Sequence, residues 1–371
     1  MRKAYHGGDF FQGIGEDFLT LEKSEQVINA DVLDAWFDPS PKALEKIKEH
    51  LPFLIRTSPP NYSEGLVQTI SNIRSIPIEN IVTGGGSSDL IFTFFPRAVK
   101  NGDKVIILDP MYGEYQHILE NIIEANVIRF LLKKENNFVI NTDSFIETIN
   151  REMPKMVVIV NPNSPTGQYL PREDILKILK SIPHEITFVV DETYIEYVDK
   201  DSSMEKDVLD FDNLVIIKSM SKVYALSGAR AAYLVANKER VEEIGNFIPP
   251  WAVSLIAQVA AVEALKDEKY YNGKYQETCQ LRDEMIEELS KINSIKIYPS
   301  VANFFLIELL DEELEAEEIV KNLQKQMIYV RNTESMSNQF SNKFIRIAVK
   351  NKESNQKVSK ELLRILSSKN D

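Results

Sequence analysis

The sequence predicts an α/β fold, with a large three-layer domain built on a mainly parallel sheet and a smaller α+β C-terminal domain. Short apolar runs alternate with longer amphipathic segments between about residues 60 and 250, as in strand–helix–strand units. After Pro249 and Pro250 the pattern changes to long helices and then a few short strands. The length of 371 residues also favours two domains, because single cores stop growing near roughly 250–300 residues.

Six apolar runs are predicted to be buried parallel strands of the large domain. Segments with helical periodicity, such as residues 172–182, separate them, as expected for a sheet with helices on both faces. The runs are KVIILD (104–109), NVIRFLL (126–132), MVVIVNP (156–162), ITFVVDE (186–192), NLVIIKS (213–219) and AAYLVAN (231–237).

Three segments are expected along the chain. Residues 41–250 should form the large domain, and residues 251–371 should form the small one, with a helical stretch at 256–292 and the strands IKIYP, NFFLIEL and FIRIAVK. Residues 1–40 are too few and too irregular to fold alone. They are therefore expected to form an N-terminal arm on the small domain or over the active site.

Composition argues against several classes of partner. A net charge of −13 opposes binding to nucleic acid and to anionic membranes. The single cysteine, Cys279, excludes an internal disulfide and is interpreted as structural. The start MRKAYHGGDFFQG lacks the apolar segment of a signal peptide, and no apolar run approaches the roughly 18 residues of a membrane span. We therefore expect a cytoplasmic protein with no membrane or nucleic-acid partner.

Polar residues follow four of the predicted strands. They are DPMY (109–112), NPNSPTG (161–167), DETY (191–194) and KSMSK (218–222). Ligands of open parallel sheets bind beyond the carboxyl ends of the strands, so these residues should meet at one edge.

A glycine-rich turn, TGGGSSD (83–89), precedes the helical segment LIFTFFPRAV. Gly86 would let the backbone approach a ligand, and the helix start with the hydroxyls of Ser87 and Ser88 suits a phosphate. A plain turn with serine as the helix cap explains this motif equally well when it is considered alone.

Lys222 stands among groups that suit a phosphorylated carbonyl cofactor. It follows a strand, is flanked by Ser219 and Ser221, and precedes Arg230 by a short step. A lysine for a Schiff base, two hydroxyls and an arginine for a phosphate would then lie together. Asp191, at the end of a neighbouring strand, could pair with a protonated ring nitrogen.

The ordered set of motifs resembles the fold-type I pyridoxal-phosphate enzymes, most closely the branch that contains histidinol-phosphate aminotransferase and threonine-phosphate decarboxylase. The resemblance extends from the HGG motif at 6–8 to Arg346. It implies the pyridoxal-phosphate-dependent transferase fold, pyridoxal 5′-phosphate as cofactor, and aminotransferase activity on an amino acid or amine.

The resemblance also implies roles for individual residues. Lys222 would hold the cofactor and move the substrate proton, Asp191 would keep the ring nitrogen protonated, and Tyr112 would stack on the ring. Tyr194 would reach the ring hydroxyl, although both tyrosines have an alternative reading as packed core aromatics. The implied phosphate-binding residues are Gly86, Ser87, Ser88, Ser219, Ser221 and Arg230.

Two arginines and a histidine are implied substrate contacts. Arg346 in FIRIAVK resembles the family arginine that binds the α-carboxylate as a bidentate fork. Arg331 in IYVRN resembles a residue of the decarboxylase branch, with a structural ion pair as the alternative. His6 belongs to a segment that closes over the substrate in that branch, with an incidental histidine on a flexible terminus as the alternative.

Three positions depart from the family pattern. The residue before Pro-Thr-Gly is usually the asparagine that touches the ring hydroxyl, but here it is Ser164, so the contact is assigned to Asn163. An N-terminal Asn-Pro-Leu-Gly element is replaced by AWFDP (35–39), which makes Trp36 and Asp38 candidate substrate contacts. An acidic group there would suit a cationic substrate and not a phosphorylated one.

The third departure concerns the partner subunit. Enzymes of this family complete their sites with a second subunit, so the resemblance implies a homodimer. Their Arg-Tyr-Pro-Asp-Pro stretch, whose tyrosine reaches the partner's cofactor, is here RTSPPNY (56–62). Ser58 and Tyr62 are the candidate replacements.

The sequence leaves the reaction branch open. Besides transamination, decarboxylation of an O-phospho amino acid and another carbanion reaction, such as cyclisation or β/γ-replacement, fit the same cofactor. A cofactor-binding regulator is disfavoured, because neither terminus carries a basic extension. The presence of Lys222 and Asp191 disfavours a pseudoenzyme scaffold, and no metal is expected at the site.

Overall fold

The computed structural model describes residues 7–367, and in this range it contains a seven-stranded and a five-stranded sheet. In chain order the strands are β1 (Ile28–Ala30), β2 (Ile81–Gly84), β3 (Lys104–Asp109), β4 (Asn126–Leu131), β5 (Met156–Val160), β6 (Thr187–Asp191), β7 (Leu214–Ser219), β8 (Ala232–Val235), β9 (Ile295–Ile297), β10 (Phe304–Leu309), β11 (Ile328–Asn332) and β12 (Phe344–Ala348).

The seven-stranded sheet has the order β2-β8-β7-β6-β5-β3-β4 and is parallel except at β8. Strands β5, β6 and β7 are buried along their whole length, so the sheet is covered on both faces. The α/β fold class is confirmed. The register pairs Val160 with Asp191 and Asp191 with Ile217, which brings the carboxyl ends of the three strands to one edge.

Two of the six predicted strands differ from the expectation. Strand β8 runs antiparallel to both neighbours, because the short link after Ser219 contains no helix long enough for a parallel crossover. Strand β4 is only partly buried, because it lies at the edge of the sheet. Strand β2, which the periodicity did not single out, forms the other edge.

The helices of the large domain follow the apolar periodicity and begin at identifiable caps. Ser40 accepts a hydrogen bond from the backbone N–H of Ala43, and Asn141 accepts one from that of Ser144. The α-helices up to the end of this domain are Phe11–Ile14, Pro41–Arg56, Glu64–Arg74, Ser87–Ala98, Gly113–Gln116, Thr142–Glu152, Arg172–Ser181 and Lys238–Gly245, and His117–Ile123 is a π-helix.

The five-stranded sheet has the order β1-β11-β12-β10-β9. Strand β1 lies parallel to β11 and pairs Ile28 with Ile328, although 300 residues separate them. This pairing supports the proposed association of the N-terminal arm with the small domain. The arm thereby reaches the boundary between the two sheets.

The helical stretch expected at 256–292 consists of two helices. Ser254 caps Leu255–Lys266, the chain turns at Asp267, and Glu268–Leu289 follows. The remaining α-helices are Ala316–Gln324 and Lys352–Ser367. Among residues 7–367, no helix is long and apolar enough to cross a membrane.

Candidate active site

A cavity of about 460 Å³ lies at the carboxyl edge of the large sheet. The N-terminal arm contributes Val32 and Leu33 to its wall, and the small domain contributes Arg346. The other lining residues come from the ends of β5, β6 and β7, from the glycine-rich turn and from the segment after β3. They are Ser87, Ser88, Tyr112, Glu114, Val160, Ser164, Asp191, Thr193, Tyr194, Ser219, Ser221, Lys222 and Arg230.

Lys222 projects into the cavity just after β7 and contacts a carboxylate. Its Nζ lies 2.7 Å from Oδ1 of Asp34, which also accepts a hydrogen bond of 2.6 Å from the Ser227 hydroxyl. Burial opposes ionisation of Asp34. The positive charge of Lys222 and the two hydrogen bonds outweigh burial and hold the carboxyl pKa below its ordinary value.

Asp191 ends β6 and is fully enclosed. Its Oδ1 accepts hydrogen bonds from the backbone N–H and the hydroxyl of Thr193, at 2.9 and 2.6 Å, and its Oδ2 accepts one from the Tyr115 hydroxyl at 2.8 Å. Burial raises the carboxyl pKa above its ordinary value despite these bonds. A positively charged ring nitrogen at this edge of the cavity would supply the cation that the buried carboxylate requires.

The glycine-rich turn and the Lys222 segment form a cradle for an anion. Gly86 has a φ of 106°, which other residues rarely adopt, and a Cβ added there would meet the guanidinium of Arg230, so glycine suits this position. Helix Ser87–Ala98 begins at the next residue with its N-terminus towards the cavity. Arg230 donates to Oγ of Ser221 at 3.4 Å and, with Ser87, Ser88 and Ser219, completes a set that fits a phosphate.

Two tyrosines form aromatic walls of the cavity. Tyr112 donates its hydroxyl to Oε2 of Glu114 at 3.4 Å, and burial raises its pKa. Tyr194 packs edge-on against Phe304 with ring centroids 5.2 Å apart, and burial likewise raises its pKa. Both side chains therefore stay neutral, so they suit contact with an aromatic ring and hydrogen bonding to it.

Arg346 reaches the cavity from β12. Its Nη1 donates to Oγ of Ser164 at 3.0 Å, and its Nη2 donates to the carbonyl oxygen of Asp31 at 2.9 Å. Burial lowers its pKa to about 10, so the guanidinium stays charged near neutral pH. A buried guanidinium that lines the same cavity as Lys222 and the anion cradle suits a substrate carboxylate.

The structure places Ser164 at the cavity, whereas Asn163, to which the ring-hydroxyl contact was assigned, lies outside the wall. The Asn163 amide donates to the carbonyl oxygen of Pro110 at 3.0 Å and to Oγ1 of Thr166 at 3.1 Å. The first bond ties the loop after β5 to the segment after β3, and the second lies within the loop. The next side chain, that of Ser164, faces Arg346.

Arg331 lies beside Arg346 and outside the cavity wall. Strands β11 and β12 pair the two arginines directly, and Nη1 of Arg331 lies 3.7 Å from Oδ1 of Asp31. Asp31 is 3 % exposed and also accepts a hydrogen bond from the backbone N–H of Gly8. The ion-pair alternative therefore describes Arg331 in this structure.

Trp36 and Asp38, the candidate substrate contacts of the arm, also lie away from the cavity. The Trp36 indole donates to Oγ1 of Thr278 at 2.8 Å, and Asp38 is exposed. The reason is a turn after β1, in which Oδ1 of Asn29 accepts the backbone N–H of Val32. The arm therefore passes the cavity at residues 32–34. His6 lies outside the described residues.

Sequence reasoning missed two carboxylates of the site. Asp34 contacts Lys222, and Glu114 lines the cavity, where its Oε2 accepts a hydrogen bond of 3.3 Å from Ser88. Nothing in the local sequence separates Asp34 from Asp31 and Asp38, because the register of β1 decides which of them faces the cavity. Glu114 lies in DPMYGEY, and nothing in that segment indicates that its carboxylate faces the cavity.

A buried ionic cluster lies under the strand ends. Nζ of Lys218 is 2.9 Å from Glu196 and 3.5 Å from Glu192, and Arg74 lies 3.0 Å from Glu196. Burial raises the pKa of Glu192 to about 7, against the attraction of Lys218. Because Glu192 directly follows Asp191 and Lys218 lies on the strand before Lys222, the cluster fixes both segments of the site.

Residues 39–362 match the family model described as aminotransferase class I and II. The chain belongs to this family. Class I and II aminotransferases depend on pyridoxal phosphate, and the cavity residues fit that cofactor. The protein is therefore a pyridoxal-phosphate-dependent transferase of fold type I, as the sequence predicted.

Curated relatives of this aminotransferase chain cover nearly its whole length. It is 29% identical over 346 residues to the histidinol-phosphate aminotransferase of Methanocaldococcus jannaschii. The aligned region covers 93% of this chain and 91% of the relative. It is 30% identical over 293 residues to the enzyme of that name from Methanococcus maripaludis strain C6, covering 79% of this chain and 77% of the relative.

Solved structures give the same picture. The histidinol-phosphate aminotransferase of Clostridium acetobutylicum superposes with a TM-score of 0.83 at 26% identity, covering 92% of this chain and 100% of that one. L-threonine-O-3-phosphate decarboxylase from Porphyromonas gingivalis shares the fold, with a TM-score of 0.80, 24% identity and coverage of 92% and 100%. The Sinorhizobium meliloti histidinol-phosphate aminotransferase, solved with pyridoxal 5′-phosphate, shares it with a TM-score of 0.84 at 19% identity and covers 99% of both chains.

Proposed function

We propose that this protein transfers the amino group of an amino acid, using pyridoxal phosphate held at Lys222. The observation that carries the proposal is that Lys222, Asp191 and Arg346 come from three separate parts of the chain and line one cavity. The relatives named histidinol-phosphate aminotransferase support amine transfer as the reaction.

The cavity residues divide into those that hold the cofactor and those that act on the substrate. Arg230, with Ser87, Ser88, Ser219 and Ser221 around Gly86, would hold the phosphate. Asp191 would hold the ring nitrogen, and Tyr112 and Tyr194 would flank the ring. When bound, pyridoxal phosphate supplies an electron sink for the substrate α-carbon.

Arg346 and Lys222 would act on the substrate itself. The guanidinium of Arg346 orients the substrate by its α-carboxylate, and Ser164 keeps that guanidinium aimed at the cavity through the 3.0 Å hydrogen bond. Nζ of Lys222, once free, accepts the proton from the α-carbon and returns it on the product side. Val32 and Leu33 cover the reacting groups and exclude water from them.

Decarboxylation of an O-phospho amino acid is the second candidate. The IYVRN motif of Arg331 resembles the decarboxylase branch, but in this structure Arg331 contacts Asp31 and lies outside the cavity wall. The product mass separates the two reactions, since decarboxylation alone removes carbon dioxide. The same measurement would reveal a cyclised or replaced product.

We also propose a homodimer in the cytoplasm. An apolar hollow of about 490 Å³, lined by residues that include Val67, Ile78 and Ile248, lies close to exposed Trp251. The backbone N–H of Trp251 donates to the carbonyl oxygen of Asn61, and the carbonyl oxygen of Ala252 lies against Gly85 of the anion cradle. This surface therefore adjoins the active site and suits a second copy that shares it.

The test is an absorbance scan of the purified protein with added pyridoxal phosphate, followed by mass spectrometry of products from a panel of amino acids. We expect the visible absorption of lysine-bound cofactor in the wild type and in the exposed-lysine control Lys238→Ala. We expect none in Lys222→Ala. Lysine-bound cofactor that persists in Lys222→Ala would refute the assignment.

A further inference from the structure

We propose that the substrate carries a positively charged side-chain group and no phosphate, and that Asp34 binds this charged group. The inference rests on the proposed function and deepens it, because it names the substrate class. It departs from the substrates in the names of the related enzymes, histidinol phosphate and threonine phosphate.

Asp34 is within reach of a ligand in the cavity. Its side chain is 32% exposed and contacts Nζ of Lys222, whose own side chain is 20% exposed and lines the cavity. Asp191, the other aspartate of the site, is only 3% exposed and already receives three hydrogen bonds. The two carboxylates thus have different tasks, and Asp34 is the one open to a substrate.

Binding of the cofactor changes the surroundings of Asp34. Lys222 supplies the contact of 2.7 Å to its carboxylate, and in the proposed function the Lys222 nitrogen becomes bound to the cofactor. The Ser227 hydroxyl remains at 2.6 Å but carries no charge. Lys350 also attracts the Asp34 carboxylate, but its ammonium donates to the backbone carbonyl of Asp34 and not to the carboxylate. A substrate cation would then replace Lys222 as the ionic partner.

The cationic residues of the cavity wall are all assigned to other groups. Within the described residues, Lys222, Arg230 and Arg346 line the cavity. In the proposed function, Lys222 and Arg230 bind the cofactor and Arg346 binds the substrate α-carboxylate. Arg331 faces Asp31 behind Arg346. Within the described residues, a substrate phosphate would therefore meet no arginine or lysine of the cavity wall that is not already in use.

The carboxylate of Asp34 opposes a phosphate further, because it stands 2.7 Å from Lys222, the lysine at which the substrate would react. Bringing a dianionic phosphate near this carboxylate is unfavourable, whereas an ammonium or guanidinium group is attracted. The substrate side of the cavity therefore fits basic amino acids.

Absorbance titration of the holoenzyme tests this inference. The ligands are ornithine and arginine, their neutral counterparts norvaline and citrulline, and O-phosphothreonine and histidinol phosphate. We expect ornithine or arginine to bind at least about tenfold more tightly than its neutral counterpart, the value of a charge-assisted contact, and the phosphorylated ligands to bind most weakly.

Substitutions assign the preference to one residue. Asp34→Asn should remove the preference, weakening the basic ligand about 10- to 100-fold while the neutral counterpart changes little. Asp38→Asn makes the same change of charge at the exposed aspartate and should retain the preference. Asp34→Glu keeps the charge and should retain part of the preference for basic ligands. The inference therefore remains testable if Asp34→Asn does not fold.

Three outcomes would overturn the inference while leaving the proposed function intact. They are tightest binding of a phosphorylated ligand, a preference for basic ligands that survives in Asp34→Asn, and equal weakening of basic and neutral ligands in that variant. The last would mean that Asp34 positions Lys222 only. A wild-type protein that takes up no cofactor would instead refute the proposed function.

Discussion

Arg331 and Arg346 face each other across neighbouring antiparallel strands, and Asp31 contacts both of them. Side chains directly opposite on paired strands point to the same face, so two guanidinium groups would repel each other there. Asp31 offsets this repulsion with its carboxylate towards Arg331 and its carbonyl oxygen towards Arg346. Asp31 of the N-terminal arm therefore holds Arg346, the residue proposed to bind the substrate carboxylate.

Asp31→Asn should destabilise the protein by about 3 kcal/mol, because it leaves the buried guanidinium of Arg331 without the Asp31 carboxylate. The free energy of unfolding in urea measures the loss. Asp38→Asn, at an exposed position six residues after Val32, should change stability by less than about 0.5 kcal/mol. A loss below about 1 kcal/mol for Asp31→Asn would contradict the role assigned to this carboxylate.

Arg346→Lys should weaken binding of amino acids about 10- to 100-fold and leave cofactor uptake unchanged. An ammonium cannot donate two parallel hydrogen bonds to a carboxylate as a guanidinium does. Absorbance titration of the holoenzyme with an amino acid and with the amine that lacks its carboxylate provides the comparison. Equal weakening of both ligands would show that Arg346 does not bind the carboxylate.

Gly86→Ala should weaken binding of pyridoxal phosphate at least about tenfold, through the strained positive φ and the clash with Arg230. Equilibrium dialysis of the cofactor measures the effect. Gly65→Ala is the matched control, because a Cβ there meets no atom within 4 Å and the residue lies in a helix. Cofactor affinity that stays at the wild-type value in Gly86→Ala would argue against the anion cradle.

The buried cluster predicts a pH dependence of stability. The pKa of Glu192 rises from 4.5 to about 7 on folding, so the folded state holds a proton that the unfolded state releases. Its contribution to stability should therefore be full below about pH 4.5 and be lost as the pH rises towards 7, by about 1–3 kcal/mol. Denaturation curves across this range should show the decline in the wild type and a smaller one in Glu192→Gln. If stability declined equally with pH in the wild type and in Glu192→Gln, Glu192 would not be the cause of the decline.

The surface beside the cradle predicts a dimer. Trp251→Glu places a charge on a side chain that is 56% exposed and should give a monomer in sedimentation, with cofactor affinity reduced because the shared site is incomplete. Leu209→Glu changes another side chain of similar exposure, 51%, away from this surface and should leave the association unchanged. An active wild-type monomer would refute the dimer.

Much of the fold follows from patterns that are local in the sequence. The apolar runs of β3, β5, β6 and β7 and the polar residues at their ends predicted the sheet and its functional edge. The direction of β8 did not follow, because the composition of a buried strand is the same in either direction. Long helices were predicted here, but the boundary between them at Asp267 was not located, because helical periodicity continues on both sides of it.

The candidate site was predictable where one motif supplies both the residue and its orientation. Lys222, Asp191, Tyr112, Tyr194 and Arg346 line the cavity because each stands at or near a strand of known register. Asp34 was not predictable, since its position depends on β1 pairing with β11 far along the chain. Asn163 was expected to face the cofactor, but Ser164 faces the cavity instead. The hydrogen bonds of the loop after β5 decide which side chain faces inward, and they cannot be predicted from the motif.

Three side chains of the small domain grip the backbone of the arm where it crosses the cavity. Arg346 binds the carbonyl oxygen of Asp31, Asn303 that of Leu33, and Lys350 that of Asp34. Every residue type has a backbone carbonyl oxygen. These three hydrogen bonds therefore do not depend on the side chains at positions 31, 33 and 34. A chimaera that keeps Asp31 and exchanges residues 32–34 alone could therefore place new side chains at the cavity while the same donors hold the backbone. Directed libraries at these three positions would then vary the substrate while the cofactor-binding residues stay unchanged.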